Sequence, residues 1–215
     1  MFTPAFSADG RLVAAPGALT GAHVWNLRGR GRSVDLLTSE SIDKVAFNPD
    51  SRRLLTAGDS AKVVRVWDID ERKNVVLDRF PGGVRALGYS PDGELIYTVS
   101  AGERAVRVYD AQTRRRIAVL QDENEILDAS FDPGSRLLLT VSDDNRAHLW
   151  DARSGRLVAT IAGHEKTISA ARFSPDGRSI VTASDDGTAV IHRCDECLRY
   201  DDLVELARRR VARLS

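Results

Sequence analysis

The chain of 215 residues lacks most features that mark membrane, secreted and nucleic-acid-binding proteins. It has only two cysteines, Cys194 and Cys197, so we expect no disulfide framework and a reducing cytosol as its setting. No apolar run approaches membrane-spanning length, and residues 1–10 lack the basic and apolar segments of a secretory signal. The 31 basic residues balance 31 acidic ones, which removes long-range attraction to phosphate. We therefore expect a cytoplasmic protein without nucleic-acid or membrane partners.

Recognisable catalytic motifs are also missing. No serine has a His-Asp partner in a nucleophile elbow, and no glycine-rich phosphate loop is present. Paired carboxylates at 143–144 and 185–186 recur at one turn position, which favours a turn role over acid–base chemistry. The arginine runs at 114–116 and 208–210 lack interleaved aromatics, which favours solvated surface. We predict no catalytic residue, no cofactor and no enzyme activity.

The chain does contain an internal repeat. One aromatic marker recurs at separations of 42, 42, 41 and 42 residues, at Trp25, Trp67, Tyr109, Trp150 and, as histidine, His192. A second marker recurs at separations of 41, 42, 42 and 42 residues, at Phe6, Phe47, Tyr89, Phe131 and Phe173. Two markers in one phase indicate a repeated structural unit, as in solenoids, propellers and arrays.

Each unit reads as short strands separated by turns. In residues 126–167, the turns at 132–135, 143–145 and 153–155 separate four apolar segments too short for typical helices. Fourth strands are visible in only four units, at 34–37, 74–77, 116–120 and 157–161, so the pattern predicts nineteen strands. A four-stranded sheet of this size cannot bury both faces alone, and radial stacking of such sheets gives a β-propeller.

Several segments carry a family resemblance. Phe173-Ser-Pro-Asp-Gly177, Ser184-Asp-Asp-Gly-Thr188, Val66-Trp-Asp68 and Gly163-His164 resemble the WD-repeat propellers. The resemblance implies a hydrogen-bonded brace at His164, Thr182 and Asp186, with His192 at the position of the family's tryptophan. It also implies structural roles for Trp25, Trp67, Tyr109 and Trp150.

The expected fold is all-β: a WD-repeat propeller of five four-stranded units over 1–193, followed by a tail over 194–215. The unit bounds are approximately 1–41, 42–83, 84–125, 126–167 and 168–193. The family usually has seven units, so five suggest a small ring or an open, incomplete arc with exposed end faces, and we favour the arc. Apolar residues at helical spacing predict a C-terminal helix over 201–214.

The tail holds the one group of residues with metal-ligand character. His192, Cys194 and Cys197 could ligate zinc, with His164 as a fourth ligand, because thiolate and imidazole suit that ion. The alternative, which we favour, is that the cysteines are small buried residues that anchor the tail.

Protein binding is the expected function. In the resembled family, partners bind the loops before the first strand and between the second and third strands. The candidates on those loops are Lys44, Lys62, Arg85, Arg104, Asn124, Asp144 and Lys166. The tail is similar to the ends of propellers in large actinobacterial-type signalling proteins, which implies a scaffold or sensor module in a bacterial signalling system.

Two other functions stay open. One is a propeller-type hydrolase or lactonase with a metal in its channel, although the four histidines do not share one phase of the repeat. The other is a fragment of a larger signalling protein that needs a partner to complete its ring. Self-association or a partner that supplies missing blades would cover the open edges.

Overall fold

The computed structural model describes residues 4–17, 21–28, 33–58 and 62–194. Within them the chain forms nineteen strands and no helix, grouped into five antiparallel sheets, I to V, in chain order. No helix in this part is long and apolar enough to cross a membrane. The expected helix over 201–214 lies outside the described residues.

Each sheet is built from consecutive strands. Sheet I contains β1 (Ala5–Phe6), β2 (Leu12–Pro16), β3 (Ala22–Asn26) and β4 (Ser33–Leu36). Sheet II contains β5 (Lys44–Phe47), β6 (Arg53–Ala57), β7 (Val63–Asp68) and β8 (Lys73–Arg79). Sheet III contains β9 (Val84–Tyr89), β10 (Leu95–Ser100), β11 (Ala105–Asp110) and β12 (Arg116–Gln121). Sheet IV contains β13 (Ile126–Phe131), β14 (Leu137–Ser142), β15 (Ala147–Asp151) and β16 (Leu157–Ile161).

Sheet V has three strands, β17 (Ile168–Phe173), β18 (Ser179–Ser184) and β19 (Ala189–Arg193). The nineteen strands expected from the repeat are all present in the described residues. Only Cys194 follows β19 there, so a fourth strand of the last unit would lie outside the described residues. Within them, β19 is the edge of its sheet.

The turn between first and second strands explains the repeated Ser-x-Asp sequence. Ser90 Oγ accepts a hydrogen bond from the Leu95 amide at 2.9 Å and donates to Asp92 Oδ1 at 2.5 Å. Asp92 Oδ1 in turn accepts the Glu94 amide at 3.0 Å. The fourth residue of this turn adopts a left-handed φ of 60° to 75° at Gly10, Ser51, Gly93, Ser135 and Gly177. Glycine is favoured there because a Cβ is strained at positive φ.

Consecutive sheets pack face to face. We call the face turned toward the preceding sheet the leading face, and the face turned toward the following sheet the trailing face. The repeated aromatics lie on leading faces and pack against aliphatic residues of the preceding trailing face. In the contact of sheet II with sheet I, for example, Trp67 and Ile69 share a cluster with Ala14, Val24 and Leu36.

Within the described residues, the two end faces have no such cover. Among the described residues, no strand pair joins sheets I and V with the packing seen between neighbouring sheets. Trp25 is 39% exposed in sheet I, whereas its counterparts Trp67 and Trp150 are at most 5% exposed. The arrangement of five antiparallel sheets is consistent with a propeller architecture whose end faces are free.

We expect the same substitution to have different effects at a covered and a free position. Trp150→Ala should lower the free energy of unfolding by about 3 to 5 kcal/mol, because it empties a filled site between sheets III and IV. Trp25→Ala should lower it by about 1 kcal/mol, because this ring is already partly in water. Urea unfolding followed by circular dichroism measures both, and equal losses would contradict the assignment of a free face.

Candidate functional site

The leading face of sheet I presents an apolar patch to solvent. The leading patch consists of Phe6, Val13, Trp25 and Leu27. Phe6 is 68% exposed, Trp25 39% and Leu27 56%. The three residues at the position of Leu27 in sheets II to IV, Ile69, Ala111 and Ala152, are all buried. Sheet I thus exposes residues of a kind that the next three sheets cover.

Strand register builds this patch. Phe6 of β1 pairs with Val13 of β2, which pairs with Trp25 of β3, so the three side chains form one row across the sheet. Leu27 follows directly after β3, and its amide donates to the Arg11 carbonyl at 2.7 Å, which extends the pairing by one residue. Because side chains alternate across a strand, Trp25 and Leu27 lie on the same face.

A polar rim borders the patch. The His23 ring stacks beside Trp25 with centroids 5.7 Å apart, and His23 Nδ1 lies 2.6 Å from Asp35 Oδ1. A tryptophan and a phenylalanine bordered by a paired polar group have the composition of a protein-binding hot spot.

The trailing face of sheet V is the opposite end of the stack. Val181 is 42% exposed and Ile191 75% exposed, and the two are neighbours in the β18–β19 register. Arg172 of β17 occupies the same row and forms an ion pair of 2.7 Å with Asp128 of sheet IV. This face therefore combines two exposed aliphatic side chains with a cation.

An arginine or histidine on the third strand recurs beside the repeated aromatic residue of four sheets. It lies two residues before that aromatic residue, and each contacts a carboxylate. The pairs are His23 with Asp35 at 2.6 Å, Arg65 with Glu40 at 2.7 Å, Arg107 with Asp78 at 2.9 Å and His148 with Asp122 at 2.7 Å. The sequence interpretation missed these residues, although their fixed offset from the repeated aromatic was a usable signal.

The partner of this arginine or histidine varies in sheets III and IV with the residue that stands where sheet V has His164. In sheet III that residue is Phe80, and the Arg107 guanidinium lies over its ring at 4.5 Å. In sheet IV it is Asp122, which pairs with buried His148. The two positions differ together between these two sheets, so that each of the two has a matched contact.

Sheet V instead carries the brace that the resemblance implied. His164 Nδ1 lies 2.9 Å from Asp186 Oδ2, and His164 Nε2 lies 2.8 Å from Thr182 Oγ1. Thr182 Oγ1 is also 3.1 Å from His192 Nε2, which takes the place of the tryptophan indole. Thr188 Oγ1 closes the network by donating to Asp186 Oδ1 at 2.6 Å.

In sheets II and IV, a tryptophan occupies the position that His192 has in sheet V. Trp67 Nε1 donates to Thr56 Oγ1 at 2.9 Å, and Trp150 Nε1 donates to Thr140 Oγ1 at the same distance. In sheet III, the Tyr109 hydroxyl reaches the preceding sheet and donates to Asp78 Oδ2 at 2.6 Å. Burial raises the pKa of Asp78, but hydrogen bonds from Tyr109, the Arg79 amide and Arg107 outweigh it and hold that pKa below its usual range.

The metal-ligand candidates do not form a zinc site in the described residues. Cys194 is buried and disulfide-bonded, so it offers no thiolate to a metal, and Cys197 lies outside the described residues. His164 and His192 instead share Thr182. No group of three or more potential ligands is present in the described ranges. The sequence interpretation expected no disulfide framework and buried cysteines; it did not include this disulfide at Cys194.

The loop candidates for partner binding lie apart from the leading patch. Arg85 Nη2 pairs with Glu125 Oε1 at 2.6 Å, and Lys44 Nζ lies 3.2 Å from Asp43 Oδ1. Asp144 accepts from Ser142 Oγ at 2.8 Å. The rest are half-buried or exposed: Asn124 is half-buried, and Lys62, Arg104 and Lys166 are exposed. These residues stay predictions for a partner surface.

Comparison with known families agrees with the repeat. The model of the WD domain, G-beta repeat, matches residues 32–68, 114–151 and 155–193, which together cover just over half of the chain. The chain belongs to this WD40 family. A search of curated proteins finds none that matches the chain significantly. WD40 repeats generally mediate protein–protein interaction.

Acidification should weaken sheet V. Burial, assisted by the charge of His164, lowers the pKa of His192, so its stabilisation is present above about pH 6.5 and lost as the pH falls through the folded pKa. Hydrogen bonds from Thr188 and His164 hold the pKa of Asp186 below 3.8, so its contribution is lost only at lower pH.

We therefore expect urea midpoints to fall between pH 7 and pH 5, and His192→Phe to flatten this part of the profile. Thr188→Ala is the matched control, because it removes a bond to Asp186 and leaves His192 in place. An unchanged slope in His192→Phe would contradict the assignment.

The paired positions in sheets III and IV permit an exchange experiment. Asp122→Phe alone should lower the free energy of unfolding by about 1 to 3 kcal/mol, because buried His148 loses its carboxylate. Adding His148→Arg should recover at least half of the loss, because the pair then reproduces Phe80 and Arg107. Thermal and urea unfolding of the three proteins measure this, and a double variant no more stable than Asp122→Phe would contradict the matched-pair account.

Proposed function

We propose that the chain is a non-catalytic protein-interaction module that binds its partner through the leading patch. The observation that carries this proposal is the exposure of Phe6, Trp25 and Leu27 in the one described sheet that has no sheet before it. Large aromatic anchors on a rigid sheet bind with little loss of conformational entropy, which suits a stable protein contact.

The surrounding contacts support this assignment. The third-strand histidine, His23, is held by Asp35 and borders the patch. The apolar side chains therefore stay available, while the polar pair limits non-specific association. Membership of the WD40 family supports the same class of function.

The wider biological setting is a further part of the proposal. We propose a scaffold or sensor role in a cytoplasmic bacterial signalling system. Two features of the sequence support it. Only four of the 31 basic residues are lysine, and such a preference for arginine is associated with GC-rich bacterial genomes. The tail also resembles the ends of propellers in bacterial signalling proteins. Because Cys194 is disulfide-bonded, thiol labelling in intact cells is the direct test of the reducing setting.

A matched pair of variants tests the binding surface. Trp25→Glu places a charge on the leading patch, and Val119→Glu places one on the outer strand β12, at a residue of similar exposure, 39% against 43%. As baits in extract of the source cell, Trp25→Glu should lose at least nine-tenths of a specific partner, while Val119→Glu should retain it.

Both baits are first checked for wild-type circular dichroism and melting temperature. Retention of every partner by a folded Trp25→Glu protein would contradict the assigned surface. Loss through Arg104→Ala instead would place binding on the loops.

A further inference from the structure

Resting on the proposed function, we infer what kind of surface the leading patch binds: the aliphatic trailing face of another WD-type β-sheet, supplied by a partner protein. The described residues form five sheets and propellers commonly contain four to eight, so such a partner would contribute about one to three.

The first argument is the identity of the exposed residues. The leading face of sheet II carries Phe47, Leu54, Trp67 and Ile69, all packed against sheet I. The equivalent residues in sheet I are Phe6, Val13, Trp25 and Leu27. One face is therefore close to a copy of the other in residue type and strand register, but only the copy in sheet II is covered. Sheet I therefore carries residues suited to stacking on another sheet, although the described residues supply no sheet for them to pack against.

The second argument is the nature of the surface that receives such a face. In sheets II and IV, the receiving residues on the two central strands are branched aliphatics, Leu55 with Val66 and Leu139 with Leu149. The adjoining first-strand position is small in the first four sheets, at Ala5, Ala46, Gly88 and Ser130.

Size matters at this first-strand position. In sheet III the paired residue on the second strand is Tyr97, and a Cβ on Gly88 would lie 2.7 Å from its ring, closer than side chains approach. The partner sheet is thus expected to carry large apolar residues on its central strands, aliphatic as in sheets II and IV, and Ala, Gly or Ser beside them.

The third argument excludes the last sheet of a second copy as the preferred occupant. At the first-strand position that is small in sheets I to IV, sheet V has Arg172, whose charged side chain forms an ion pair with Asp128. Its trailing face is more polar than the faces that receive a neighbour, as in terminal repeats that end a stack. Two copies would also bring ten sheets together, which exceeds the common range.

A fusion protein tests the inferred contact within a single chain, so the partner need not be identified first. A second copy of residues 84–167, which form sheets III and IV, is placed before the full chain. Its last sheet then presents Leu139 and Leu149 to the leading patch. Of the chain's three tryptophans only Trp25 is substantially exposed, so acrylamide quenching reports on it.

We expect the quenching constant of the accessible component to fall at least fivefold in the fusion. The matched control carries Leu149→Arg in the added copy alone, and it should restore quenching to the value of the natural chain. Trp25 equally accessible in the natural chain and in a folded fusion would overturn the inference.

A second measurement addresses self-association. The mass of the natural chain by light scattering, and the quenching of Trp25, are followed as protein concentration rises. A doubled mass with protection of Trp25 would overturn the inference, because the occupant would then be a second copy.

The two proposals can fail separately. A fusion that leaves Trp25 accessible, while Trp25→Glu still loses its captured partner, overturns the inferred sheet and leaves the binding function standing. A fusion that hides Trp25, while Trp25→Glu retains every partner, supports the inferred fit and counts against the function.

Discussion

The structure depends on one contact, the packing of an aromatic leading face on an aliphatic trailing face. No sheet of three or four short strands buries enough apolar surface alone, so each needs a neighbour to be stable. Four such contacts order the five sheets along the chain. A linear stack has two ends, so the aromatic leading face of sheet I has no preceding sheet to pack against in the described residues. The proposed function follows from this geometry: the surface that is core in a middle sheet is exposed in the first.

Hydrogen bonding inside the sheets is more variable than their packing. The brace of His164, Thr182 and Asp186 occurs in sheet V, while sheets II to IV pair a third-strand arginine or histidine with an acidic or aromatic partner. Buried polar groups must find partners, but the partner can come from either side of the aromatic residue. The repeat therefore tolerates loss of its family brace wherever an arginine or histidine and a matching residue change together, as Arg107 and Phe80 show against His148 and Asp122.

The strands were predictable because their signals are local. Turn residues such as Ser90 and Asp92 cap the following strand through bonds within five residues, and the phase of the aromatics needs no tertiary information.

The sequence could not show that the leading face of sheet I is exposed, because the residue types of Phe6 and Trp25 are core in the next sheet. The pairing of Asp78 with Arg107 joins residues 29 positions apart in different sheets, and the sequence pattern around either one does not indicate it. The disulfide at Cys194 was missed because two cysteines read equally well as buried thiols or as metal ligands.

Solvent exchange of the three tryptophan indole N–H groups, measured by NMR, tests the central claim most directly. Trp67 and Trp150 donate to Thr56 and Thr140 beneath a neighbouring sheet, so their indole protons should exchange slowly. Trp25 has Ala15 at the position of that threonine and lies on the free face, so its proton should exchange much faster. Two slow signals and one fast signal are predicted. Three equally protected indoles would show that the leading face of the first sheet is covered, which would contradict the account.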